Sequence, residues 1–154
     1  MKNKDPLPQP DYKESKETSY CLSRRFSNLT FDETVANTRQ ALHDIGFEII
    51  SEMKMHEYFK QRLSKDINRY TLIGVCKAEL AYELLQTENK LGVLLPCNIV
   101  IQDVKDGQLI EVSLIDAAVS WGLSKNTIVS QKAKEVKEKF KSILDKVEQS
   151  NTSI

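Results

Sequence analysis

Glycine is scarce in this chain, five in 154 residues. Neither G-x-x-x-x-G-K-[ST] nor G-x-G-x-x-G occurs, so no phosphate-cradling loop is expected. Cysteine and histidine are as thin, at three and two. There is no C-x-x-C and no H-x-x-x-H, whereas a structural zinc takes four closely spaced nitrogen or sulfur ligands. A metal centre therefore finds no motif. Cysteine–histidine hydrolysis finds none either, because nothing places His43 or His56 near a thiol. Both histidines are expected in solvent. Carboxylates are plentiful, but no pair is marked out for acid–base work, and no motif identifies a cofactor.

Charge of one sign is also missing. Acidic and basic residues number 22 each. A dedicated nucleic-acid binder normally carries a basic excess, so such a partner is not expected, although Arg24-Arg25 leaves room for a local basic patch. A neutral surface also offers little repulsion to self-association. No run of about 18 apolar residues exists, so no membrane span is expected. The N-terminus MKNKDPLPQPDYKESKETS lacks the apolar core of a secretory signal. A reducing cytoplasm is the resulting expectation, with Cys21, Cys76 and Cys97 as free thiols.

What is present suits one soluble domain, with 40% hydrophobic and 29% charged residues. Residues 1–18 are polar and carry Pro6, Pro8 and Pro10; they read as a flexible tail. Residues 19–150 read as a single α+β domain, and 151–154 as a C-terminal tail. A strand is expected from near Tyr20, with Tyr20, Leu22 and Phe26 on one face. Thr30 and Glu33 have capping-box spacing. Phe31, Val35, Thr38, Leu42 and Ile45 then recur at helical spacing until Gly46, which can take the left-handed conformation that ends a helix.

Phe47, Ile49 and Met53 suggest a strand, 56–63 a short helix, 70–75 an apolar strand, and 78–88 a helix buried through Leu80, Ala81, Leu84 and Leu85. A long strand is expected from Val93 to Val104. Asp106-Gly107 is a hairpin signal, and Leu109 to Ile115 the antiparallel return. Residues 116–125 read as irregular, with Trp121 capping the core. Thr127 to Gln149 reads as a long helix whose stripe is Val129, Ala133, Val136, Phe140, Leu144 and Val147. The order β-α-β-α-β-α-β-β-α predicts a mixed, largely antiparallel twisted sheet packed by helices.

Two thiols carry the candidate chemistry. Cys76 ends a strand just before a helix, where amide donors and the dipole favour a thiolate. Its other role is a small buried hydrophobe. Cys97 lies in Leu94-Leu95-Pro96-Cys97-Asn98-Ile99-Val100-Ile101. Alternation puts it with Leu95, Ile99 and Ile101 on the apolar face, and puts Pro96, Asn98, Val100 and Gln102 on the other. A bulge at Pro96 would re-aim Cys97 or Asn98. Cys76, Lys77, Pro96, Cys97 and Asn98 are the candidate binding residues, without a catalytic set.

The segments Phe31-Asp32-Glu33-Thr34, Gly46-Phe47-Glu48-Ile49-Ile50, Gly74-Val75-Cys76 and Leu94 to Val100 follow in an order that resembles the bacterial and archaeal family called domain of unknown function 302. The resemblance runs from about Tyr20 to the terminal helix. It implies a small α+β domain with a TBP-like arrangement and a homodimer, and it brings no activity. Members often carry Cys-Asn-Pro where this chain has Cys76-Lys77-Ala78, and Asp-Pro where it has Asp116-Ala117. The first difference removes a favoured first-turn proline and puts a cation in place of a polar cap.

Three readings follow. The first is a homodimeric module that binds a small molecule between sheet and helices, without catalysis. The second is a thiol-based redox, sulfur-transfer or metal-handling protein using Cys76 and Cys97. The third, a nucleic-acid binder, rests on fold analogy alone.

Overall fold

The structure, a computed structural model, describes residues 18–149. Residues 1–17 of the expected N-terminal tail and all of the C-terminal one lie outside the described residues. Among the described residues there are five strands: β1 (Cys21–Phe26), β2 (Glu48–Lys54), β3 (Tyr70–Cys76), β4 (Cys97–Asp103) and β5 (Ile110–Ile115). Five α-helices accompany them: α1 (Phe31–Asp44), α2 (Met55–Leu63), α3 (Ala78–Thr87), α4 (Ala117–Ser120) and α5 (Thr127–Gln149). Two 3-10 turns, Asn89–Leu94 and Trp121–Ser124, complete the described chain. No helix among the described residues is long and apolar enough to cross a membrane.

The sheet order is β1-β5-β4-β3-β2. Every neighbouring pair is antiparallel, so the largely antiparallel expectation is met, and the sheet is wholly antiparallel rather than mixed. Local signals place the elements. The Thr30 hydroxyl accepts from the Glu33 amide at 3.1 Å, and the Glu33 carboxylate accepts from the Thr30 amide at 3.2 Å. These bonds satisfy two donors that α1 would otherwise leave orphaned. Gly46 follows α1 with φ of 82°. At the hairpin Asp106 and Gly107 both have positive φ, 43° and 84°. The Gln108 amide closes onto the Lys105 carbonyl at 2.8 Å, and the Asp103 carboxylate accepts from the Gly107 amide at 2.8 Å.

One face of the sheet makes the core. Register lines up Val112 and Leu114 with Ile101 and Ile99, and these with Thr71 and Ile73, and Ile110 extends the same face of β5. All are buried. α1 and α5 cover this face. Every residue of the expected α5 stripe is buried, Phe140 packs on Phe47 with ring centroids 5.3 Å apart, and Asn37 donates from α1 to the Val147 carbonyl. Arg24, on this same side of β1, reaches Asp145 of α5 at 2.6 Å.

Five expectations are corrected. β4 starts at Cys97 rather than Val93, because Pro96 has no amide for a ladder and Val93-Leu94 belong to the preceding 3-10 turn. The Leu95–Pro96 peptide is cis. Leu85 is 38% exposed, since α3 inserts Leu84 and turns Leu85 toward the Gly92 turn. Tyr20 precedes β1 and is 60% exposed. Residues 116–125 are ordered as α4 and a 3-10 turn, because the Asp116 carboxylate caps the Ala118 amide at 3.0 Å; Trp121 is buried there as expected. His56 is half-buried, not solvated: β2 ends at Lys54, and the Tyr70 amide donates to His56 Nδ1 at 3.0 Å.

Candidate functional site: the open face of the sheet

The alternation that buries one side of β4 and β5 leaves the other side to polar residues. Cross-strand register arranges them in rows. Arg25 sits beside Glu111, Glu111 beside Gln102, and Gln102 beside Tyr70. The next row runs Ser23, Ser113, Val100 and Leu72. Beyond it Cys21 faces Ile115, and Asn98 faces Gly74. This face holds a recess of about 280 Å³. Its lining comes from β1, β3, β4, β5 and the residues just before β1, and among the described residues no helix contributes.

The polar groups are joined. Cys21 Sγ lies 3.5 Å from Ser23 Oγ, and Ser23 Oγ 2.8 Å from Ser113 Oγ. The Ser113 hydroxyl and the Gln102 amide each approach Glu111 Oε1 at 3.4 Å. Arg25 Nε donates to Glu111 Oε2 at 2.7 Å, with the two side chains 11% and 7% exposed. A buried carboxylate is costly unless paired and hydrogen-bonded, and this one is both. Burial pushes the Tyr70 phenol above its ordinary range, and Tyr20 and Glu111 add in the same direction. Tyr70 is therefore a neutral hydroxyl at physiological pH. The arrangement can give and accept hydrogen bonds around an apolar strip formed by Val100 and Ile115.

The five candidate binding residues do not gather. Asn98 alone reaches this recess. Pro96 lies over Gly74, where a Cβ would come within 2.8 Å of Pro96 Cγ. Cys97 keeps plain alternation and is 4% exposed in the core, and β4 carries no bulge against β3. Cys76, Lys77 and Cys97 line a cleft of about 10 Å³ beneath α3, together with Leu80, Leu84 and Trp121. That is near the smallest space that holds one water. The expected crevice between sheet and helices is thus filled by side chains, and the larger recess lies on the opposite face.

Burial opposes ionisation at Cys76 and Cys97. Burial pushes the Cys97 thiol up to about 12, with Cys76 adding to it. Burial, then Glu48, raises Cys76 against the opposing hydrogen bond from the Lys77 amide. The helix-start effect exists at Cys76, but desolvation is larger. Lys77 faces Gly46; it also acts on Lys139, whose pKa is lowered by burial first and by Lys77 second.

Sequence reasoning missed Ser23, Tyr70, Glu111 and Ser113. A signal existed in β5, where polar residues 111 and 113 alternate with apolar 110, 112 and 114. Pairing of β5 with a strand some 90 residues earlier had no such signal.

A family model described as "Domain of unknown function DUF302" matches residues 23–147. Among solved structures, the chain is similar to an uncharacterized conserved protein DUF302 from Bacillus stearothermophilus, with a TM-score of 0.76 and 17% identity. The likeness covers 84% of this chain and 99% of that one; at this identity it shows the fold. No curated protein matches the chain.

Proposed function

The chain belongs to the family described as a domain of unknown function, DUF302, and from that premise we propose that it is a small-molecule-binding module without catalysis, its site the open-face recess. One observation carries the reading. The recess combines a connected polar lining with an apolar strip, the mixture that holds and orients small ligands. Asn98 is the member of the candidate set that serves this site. A screen of a broad fragment library by amide chemical shifts tests it. Binders that move the Asn98, Gln102 and Ser113 resonances support the reading; a library that moves none of them ends it.

The module is also proposed to be a homodimer. The support is β2, an edge strand with Ile50 57% and Met53 42% exposed. The thiol reading, with Cys76 and Cys97 as its site, gains less, because burial opposes a thiolate at both sulfurs. Alkylation of Cys76 at the rate of an activated thiol would restore it.

A further inference from the structure

We infer that the recess takes a neutral, polyhydroxylated ligand built on one ring, a monosaccharide or a cyclitol; the inference rests on the recess being the binding site. Charge comes first. Among the described lining residues the one ionic group is Glu111, and Arg25 pairs with it at 2.7 Å. An anionic ligand would meet the carboxylate, with the nearest guanidinium committed to that carboxylate. A cationic ligand would compete with Arg25 for the same oxygens. Either charge would lose its hydration without an added counter-charge.

A neutral ligand with many hydroxyls has no such penalty. Each hydroxyl is donor and acceptor together, and the lining offers the same versatility: hydroxyls from Ser23, Tyr70 and Ser113, primary amides from Asn98 and Gln102. Asn98 and Gln102 stand on the same side of β4, four residues and about 13 Å apart along the strand. Both line the recess with Val100 between them on the strand, a span that suits a single ring. Val100 and Ile115 would meet the C–H faces of that ring. The volume of about 280 Å³ falls just below the roughly 300–1,000 Å³ of sites for drug-sized ligands, which suits one ring rather than an extended chain.

The test is an isosteric series on the full chain: glucose, myo-inositol, glucosamine and glucuronate, titrated by NMR at the Asn98 and Gln102 side-chain amides. The Trp121 indole, on the core side, is the control. Glucose or inositol is expected to shift both amides, with the charged sugars at least about tenfold weaker. Asn98 is exposed, so Asn98→Ala should keep the melting temperature while weakening binding several-fold. A charged sugar that binds these amides as tightly as glucose overturns the ligand class and leaves the recess a site. Neutral sugars that shift neither amide, where library fragments do shift them, have the same consequence. If sugars and fragments alike leave the amides unmoved, both the class and the site are lost.

Discussion

The Glu111 carboxylate sits on the side of the sheet opposite the main core, yet only 7% of its side chain is exposed. Its cross-strand neighbours Arg25 and Gln102 enclose it. Removing one member of a buried ion pair typically costs roughly 3–5 kcal/mol, while replacing both by apolar residues is often neutral. Glu111→Ala should therefore destabilise the fold by about 3 kcal/mol, the low end because Arg25 lies on an edge strand. The double change Arg25→Met with Glu111→Leu should recover most of it. Urea unfolding of both variants decides this; equal losses would mean that the carboxylate supports the strand by something other than its charge.

Cys97 gives a second residue-scale prediction, in pH. Its folded pKa is raised from 9.0 to about 12. Between those values the folded state keeps the proton and the unfolded state releases it. Stability is thus intact below pH 9 and falls as pH rises toward 12, at up to about 1.4 kcal/mol per unit from this group. Tyr70 and Cys76 shift in the same direction, so the comparison isolates Cys97. Cys97→Ala should show a shallower alkaline decline than the parent in pH-dependent unfolding. Parallel curves would assign the decline to the other two groups. The burial of Cys97 was legible in the alternation of its strand. That burial outweighs the helix start at Cys76 was not, because desolvation depends on what packs around the sulfur.

Elements whose signals are local were read from the sequence. The Thr30–Glu33 box, the Asp106-Gly107 turn and the α5 stripe need only a few neighbouring residues, and each appears where expected. The start of β4 was misread because apolar Val93 and Leu94 look like strand, whereas Pro96 fixes where a ladder can begin. Gly74 explains how the chain accommodates that proline. Its missing side chain is the space into which Pro96 and Ser51 pack from the two adjoining strand segments. A Cβ there would meet Ser51 Oγ as well as Pro96 Cγ at 2.8 Å. Gly74→Ala should cost roughly 1–3 kcal/mol as an overpacking change, read by thermal or urea unfolding. Paired with Ser51→Gly it should recover part of the loss, and full tolerance of the single change would show that the β2 bulge next to Ser51 simply absorbs it.

At the scale of the whole molecule, the sheet order is what the sequence withheld. β1 and β2 are joined through α1 yet stand at opposite edges, and β1 pairs with β5 near the other end of the chain. Such pairings are set by how two amphipathic helices cover one face, not by any local pattern. They are also what assembles the recess, which explains why its residues could not be grouped beforehand.

The same order leaves two edges of unequal character. On β1, Arg24 is tied to Asp145 and Arg25 to Glu111, so that edge is drawn into its own fold. On β2, Ile50 and Met53 stand exposed between Glu48, Glu52 and Lys54. Edge-to-edge pairing of two copies along β2 would bring the exposed Ile50 and Met53 of each copy into the contact. The bulge beside Ser51 limits such pairing, as bulges at edges do, so the contact should be short and lean on Ile50. Light scattering of the full chain should give the mass of two copies, and Ile50→Lys should give that of one, still with a cooperative melting transition but without the concentration dependence of the parent's. A like charge added at β1, as Ser23→Lys, should leave the dimer intact. A single-copy mass for the parent at every concentration would remove the homodimer, and a dimer that survives Ile50→Lys would move its interface away from β2.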